Sequence, residues 1–489
     1  MKSLYQEAKA LQDQIVADRR YLHQIPEVGM DLPESAAYIE ARMADMGIPS
    51  HRCGVIPDHI RKKYVDMGFP DMADSTGVVA TIGSGSPCIL LRADFDALPM
   101  EEINDLPFCS SRKASHMCGH DAHAAMLLGA AQLLKNHESE LKGTVKLMFQ
   151  PGEEMGYGAK TMVDDGLLED PKVDAAFALH IFSTTEAGKV TYCTGVTSAS
   201  LDSFIVNIQG NGGHSSTPQL SIDPLMIANQ IYTAANMLMT REVDPQATAP
   251  LSAGVLKSGS AVNTIPDTAT LQMGMRTYDS KARSHILERL PEIIDHYVKA
   301  WRGKYELVTF NCPCTYTDSA VSKDLLPYIG EIVGDGNIEI TGPMAGTEDF
   351  SYVAEEVPSM FICLGAGGPD CYPHHNPRMV LDESVFFQGT AIYATKAGTV
   401  MLANEGWNYG LGYCVKIQHD DGTSTVYGHM SRVIAVTGQR VAQGQVIGKI
   451  GSTGVSTGPH LHYEIRIGGV NGTAVNPLPY LPGYVRYGW

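Results

Sequence analysis

No apolar run in this chain approaches the ~20 residues that a membrane helix requires, so no span is expected. Basic residues are also in deficit. Lys and Arg total 36 against 54 Asp and Glu, a net charge of -18, which argues against a nucleic-acid or anionic-membrane partner. The opening Met-Lys-Ser-Leu-Tyr-Gln-Glu has no apolar signal core, and the ten cysteines are scattered rather than clustered as a disulfide framework. Both features point to the cytoplasm and free thiols. Internal repeats and low-complexity tracts are missing too. What is present is length: 489 residues exceed what one core usually supports, so two or three domains are expected.

The chain changes texture twice. Residues 3–47 carry helical periodicity broken at Pro26, followed by buried-strand runs at Gly77 to Ile82 and Cys88 to Leu91, with further strands at Val145 to Phe149 and Ala175 to Leu179. Polar groups fall repeatedly at the strand ends, where α/β sheets place their sites. From about Ser198 the order becomes strand, Gly-rich turn, helix (Pro224 to Met239), strands (Leu251 to Lys257, Thr268 to Arg276) and helix (Lys281 to Trp301), an inserted α+β unit. The expected division is therefore 1–197 and 305–395 for an α/β domain, 198–304 for the insert, and 396–489 for an all-β module. Within the last, Tyr413 to Gln418, Asp420-Asp421-Gly422 and Thr423 to Tyr427 give a hairpin signal, Gln445 to Ile450 and His460 to Ile467 add strands, and the Pro-rich stretch Asn476 to Gly483 reads as an irregular tail.

Residues 116–123 read His-Met-Cys-Gly-His-Asp-Ala-His, a thiol, imidazoles and a carboxylate in one short string. Four other segments offer ligand-type side chains: Asp94 with Asp96, Glu153 with Glu154, His180, and His374 with His375. Each has a bland alternative. The aspartates could be loop carboxylates or helix caps, the glutamates a solvated turn after Pro-Gly, and His374-His375 a surface pair. His180 is harder to dismiss, because an imidazole closing a buried strand needs a partner. Taken jointly they suit two divalent ions sharing a water, which need five or six ligands. Hydrolysis is the chemistry implied, with one carboxylate left free to take a proton.

These segments resemble the aminoacylase-like metallohydrolases, which include hippurate hydrolase, N-acetyl-diaminopimelate deacetylase and the indole-3-acetyl amino acid hydrolases. The resemblance covers residues 10–395 through Arg-Ala-Asp-Phe-Asp-Ala-Leu-Pro, Cys-Gly-His-Asp-Ala-His, Phe-Gln-Pro-Gly-Glu-Glu, Ala-Leu-His, Gly-Gly-His-Ser, Asn-Thr-Ile-Pro-Asp and Gly-Thr-Glu-Asp-Phe. It implies Cys118, His120, Glu154, His180 and His375 as ligands of two divalent metals (zinc, manganese, cobalt or nickel) and Glu153 as general base. His374 is demoted. By the same resemblance the insert is a lid that dimerises, His214 steadies the oxyanion, often from the partner subunit, and Asn263 and Arg276 hold a substrate carboxylate. The implied reaction is hydrolysis of N-acyl amino acids by a homodimer, with a dipeptidase as the nearest alternative. One departure is the long segment Pro57 to Asp74, which could cover the cleft.

Residues 396–482 resemble a second family, the lysostaphin-like zinc endopeptidases of peptidoglycan, through Tyr427-Gly-His429-Met and Gly458-Pro-His460-Leu-His462-Tyr-Glu464. That family makes His462 a zinc ligand assisted by His429 and His460, but it also needs an upstream histidine and aspartate. Residues 376–418 contain no histidine, so the zinc site is expected to be vestigial and inactive. A wall-binding or scaffold role is the competing use of this module. The string Tyr393 to Val400 reads both as the end of the first family's last helix and as a first strand of the second. That points to a truncating fusion, natural or produced in sequence assembly, near Tyr393 to Lys396.

Overall fold

The computed structural model describes residues 2–66, 71–72, 75–141, 143–403, 413–418, 423–433, 448–450, 460–467 and 473–475. Its main element is an eight-stranded mixed sheet in the order Ser50–Cys53, Gly77–Gly83, Thr144–Gln150, Cys88–Asp94, Ala175–Glu186, Ser359–Gly367, Val190–Tyr192, Ile338–Ile340. The four central strands run parallel to one another, and nearly every residue in them is buried. Continuous apolar runs such as Cys-Ile-Leu-Leu make sense only with both sheet faces covered. One face carries helices Gln12–Gln24, His120–Asn136 and Phe386–Ala403 over Leu91, Leu147 and Phe177; the other carries Gly158–Asp164 and Ser351–Glu356 over Leu90, Met148 and Phe361.

Helix His120–Asn136 is buried along almost its whole length, because small residues let neighbours come close. A Cβ on Gly129 would lie 2.9 Å from Thr390 Oγ1 and 3.0 Å from Ile15. The final helix runs unbroken through Phe386–Ala403, so the doubly readable segment near Tyr393 takes the helical reading and not the strand of the second family. Tyr393 is fully buried, and its hydroxyl donates to the Arg92 carbonyl at 2.7 Å.

The insert forms a separate antiparallel sheet, Leu251–Ser258, Thr268–Met275, Leu201–Gln209, Lys304–Cys312, backed by helices Pro224–Arg241 and Ser280–Ala300. Strand Lys304–Cys312 pairs with Leu201–Gln209 along its full length. The sequence reading returned the chain to the α/β unit at 305, and this pairing moves the return past Cys312. The reason is that an alternating strand looks alike in either sheet. Segment 57–74 is helical over Asp58–Asp66, with Ile60 and Tyr64 packed against Met30, Met72 and Met155. In the C-terminal region Tyr413–Gln418 and Thr423–Val433 pair antiparallel, and Thr423–Val433 also pairs with Gly448–Ile450 and His462–Ile467. The turn at 420–422 and the Pro-rich tail lie outside the described residues. No helix among the described residues is long and apolar enough to cross a membrane.

Candidate metal centre

Every group in the centre hangs from the C-terminal side of the central parallel strands or from the start of helix His120–Asn136. Gly119 caps that helix at φ 90°, and a Cβ there would lie 2.7 Å from Ile181 Cγ2. Only glycine permits this turn, which brings Cys118 and His120 into one pocket. Strand Thr144–Gln150 delivers Glu153 and Glu154 through its Pro-Gly turn. His180 lies within strand Ala175–Glu186, which continues six residues past it and so extends well beyond the sequence expectation.

Two groups of donor atoms converge. Cys118, His120 and His180 place one ligand atom each within 4.8 Å of one another, and so do Cys118, Glu154 and His375. Cys118 belongs to both. His120, Glu153 and Glu154 form a further group, and Glu153 Oε2 is 3.9 Å from His120 Nε2.

The imidazoles are oriented from behind. His120 Nδ1 lies 3.1 Å from Asp96 Oδ1, and Asp96 Oδ2 accepts the Glu154 backbone N–H at 3.0 Å, so one carboxylate fixes two ligand-bearing residues. His180 Nδ1 bonds the Ile181 carbonyl at 2.7 Å, turning Nε2 toward Cys118 Sγ at 3.6 Å. This is the outer support that metal-binding imidazoles require. His123 accepts the Ile181 N–H on Nε2 and donates from Nδ1 to Asp94 at 2.5 Å, so both its nitrogens are spent. His374 is spent likewise, on the Ser183 N–H and the Cys118 carbonyl. The demotion of His374 has this physical basis. His375 keeps its ring for the site, with Nε2 3.3 Å from Glu154 Oε1, and adopts a left-handed backbone at φ 62°.

His120 Nε2 is fully buried and has no hydrogen-bond partner, an orphan that a cation would satisfy. The mixed thiol, imidazole and carboxylate donors around it fit divalent ions. Burial pushes the Cys118 thiol up and holds the His180 imidazole well below its ordinary range. Burial, then the Glu348 and Glu154 carboxylates, raise Glu153 well above a normal glutamate. Glu154 is held low: burial opposes ionisation, but His375 and His120 outweigh it.

Sequence reasoning gave no role to the groups that bracket Glu153. Arg92, completely buried, donates to Gln150 at 2.7 Å, to Glu348 at 2.7 Å and to Asp349 at 3.1 Å, while Glu153, Glu348 and Asp349 fall within 4.8 Å of one another. A signal was available in Arg-Ala-Asp-Phe-Asp and Gly-Thr-Glu-Asp-Phe, where an arginine and acids flank apolar positions.

The lid residues lie apart from the donor groups. His214 is exposed, with Nδ1 taken by Ser216, and it pairs with Thr264 on the strand next to Asn263. Arg276 reaches the loop before Glu348, donating to Thr347 Oγ1 at 2.8 Å and to the Ala345 carbonyl at 3.3 Å. In the C-terminal region the His429 ring centroid is 4.7 Å from that of His460 and 5.5 Å from that of His462.

Residues 90–397 match the family model of peptidase family M20/M25/M40. The chain belongs to that family. It is 33% identical over 399 residues to N-acetyl-L-cysteine deacetylase of Bacillus subtilis (strain 168), covering 81% of this chain and 90% of that protein. It is 33% identical over 401 residues to IAA-amino acid hydrolase ILR1-like 4 of Arabidopsis thaliana, covering 80% and 86%. The crystal structure of the Bacillus subtilis YXEP protein, a dinuclear metal binding peptidase from the M20 family, superposes with a TM-score of 0.62 at 28% identity, covering 81% of this chain and 99% of that one. This M20 protein is a metal-dependent amidohydrolase with a mixed α/β fold. Residues 385–477 match peptidase family M23, so an M23 domain follows, and the two matches share residues 385–397.

Proposed function

We propose that this M20 enzyme hydrolyses the amide of small N-acyl amino acids, releasing a carboxylic acid and the free amino acid. The reading rests above all on one observation, a thiol common to two donor groups with the Glu153 carboxylate beside them. Cys118, His120 and His180 would hold one divalent ion and Cys118, Glu154 and His375 the other. Bound there, the ions supply Lewis-acid polarisation of the acyl carbonyl and an activated water. Zinc suits this donor set first, with manganese, cobalt and nickel as alternatives.

Glu153 takes the proton of the attacking water and passes it to the departing amine nitrogen. Asp96 keeps His120 in one orientation through the cycle, and Asp94 does the same for His123 beneath it. Arg276 and Asn263 bind the substrate carboxylate. His214 donates to the developing oxyanion from the partner of a homodimer, a role supported by its exposed ring and Ser216-occupied Nδ1. The dimer would use the exposed edge strand Leu251–Ser258 with Leu225 and Met237 on helix Pro224–Arg241.

The M23 domain is proposed to lack endopeptidase activity, because His429, His460 and His462 have no histidine among residues 376–418 to join them. The nine cysteines identified as free suit a cytoplasmic protein. The test is elemental analysis of the purified chain together with a panel of N-acetyl and longer N-acyl amino acids, assayed beside dipeptides with free amino termini. Faster turnover of the dipeptides would replace this reading with a dipeptidase.

A further inference from the structure

The loop that meets Arg276 is fixed on either side of Thr347. The Ala199 N–H donates to the carbonyls of Met344 and Gly346, both at 3.1 Å, and the Met344 N–H donates to the Thr197 carbonyl at 2.7 Å. One residue beyond Thr347, the Glu348 carbonyl accepts the Thr315 hydroxyl at 2.9 Å and its carboxylate is gripped by buried Arg92. Thr347 therefore presents its hydroxyl from a rigid post. Arg276 is the opposite, a long exposed side chain at the end of lid strand Thr268–Met275 that loses much rotamer freedom whenever it is held in one place.

The bonds to Thr347 Oγ1 and the Ala345 carbonyl both use Nη1 of Arg276. That leaves Nε–H and an Nη2–H as a parallel pair, the edge that grips a carboxylate through two bonds. We propose that Thr347 is a positioning residue for substrate selection. It holds Arg276 with its free edge presented to the substrate carboxylate, and it ties that guanidinium to the same loop whose next residue, Glu348, stands beside Glu153. The inference rests on the proposed role of Arg276 as the carboxylate receptor. An N-acyl amino acid would then be favoured over its carboxamide because the receptor is in place before substrate arrives.

The experiment is steady-state kinetics of the full-length metal-loaded chain. The substrates are the N-acyl amino acid turned over fastest in the panel above and the carboxamide of that same compound. Thr347→Val removes only the hydroxyl; Thr347→Ser returns it; Arg276→Ala removes the receptor. Thr347→Val is expected to lower kcat/KM for the acid roughly tenfold, the loss of one hydrogen bond to a charged group, while leaving the carboxamide unchanged. Thr347→Ser should restore the preference, and Arg276→Ala should abolish it. Equal losses on both substrates in Thr347→Val, or no loss, overturn the inference while Arg276→Ala still abolishes the preference. If Arg276→Ala leaves the preference intact, the receptor reading itself is what fails.

Discussion

His120 and His462 both follow short polar strings that any scan for metal ligands would select, yet they stand in different company. Around His120, separate chain segments converge: the loop at Cys118, the Pro-Gly turn at Glu154, a central strand at His180 and the late loop at His375. Behind them Asp96 fixes two of the candidate donors at once. His429, His460 and His462 come instead from two neighbouring strand regions, with Gly428 directly opposite His462 in the pairing. The difference teaches that a metal centre is a property of convergence and outer support. Among the described residues, the histidines spaced two apart show no such convergence.

The contrast breaks most sharply at Glu153. Glu153→Gln is expected to reduce kcat about a thousandfold with bound metal unchanged, measured by kinetics and elemental analysis on one preparation. Loss of metal alongside activity would make Glu153 a ligand and erase the division of labour with Glu154. Next comes the shared thiol. Cys118→Ser should strip metal from both groups, whereas His180→Ala and His375→Ala should each leave one metal per chain. Asp96→Asn should weaken metal affinity by about 10–100-fold while every direct donor remains. An Asp96→Asn chain that binds metal normally would show that outer support adds nothing.

A smaller effect is expected in stability. Behind helix His120–Asn136, His23 lies between Glu102 at 3.0 Å and Asp121 at 2.7 Å. Burial favours a neutral Glu102, but hydrogen bonds from His23 and Asn104 prevail and bring its carboxyl from 4.5 down to about 2. A depressed carboxyl stabilises the fold fully above about 4.5 and loses that contribution as pH falls toward 2. His23 is raised: burial and Arg19 act against it, and Asp121 with Glu102 overcome them. Its contribution is fully present below 6.5 and is lost as pH rises through the folded value. Glu102→Gln should therefore cost about 2 kcal/mol between pH 4.5 and 6.5, intermediate between exposed and fully buried pairs, and the cost should shrink toward pH 2 in urea titrations. A cost independent of pH would refute the ionic account. The smallest effect belongs to the second cluster, where His462→Ala should change neither amide turnover nor metal per chain.

Much of this was legible in the text of the chain. The runs at Gly77, Cys88, Val145 and Ala175 announced buried strands because continuous apolar sequence has few other uses in a protein of this polarity. The candidate donors were legible because thiol, imidazole and carboxylate recur at strand ends. Hidden were features that depend on partners distant in sequence. Asp94 and Asp96 could equally have been caps until His123 and His120 were found against them. Arg92 stands in a motif, but its role is hidden there, since its partners Glu348 and Asp349 lie more than 250 positions away. The return from the insert was placed at 305, ahead of most of strand Lys304–Cys312, because alternation reports a half-covered strand and not which neighbour covers it.

Tyr393 has a consequence for grafting. Its ring sits against Phe177 and its hydroxyl donates to the carbonyl of Arg92 itself in the central strand, so the chain up to Ala394 is structural timber of the M20 domain. The M23 match begins at residue 385, which means that its opening stretch is already spent holding another fold together. For anyone cutting and rejoining such chains, no seam before Ala394 is safe. A cut before that point would strip a helix from the face of the sheet over which His120–Asn136 also packs, the helix that carries the start of the centre built around Cys118.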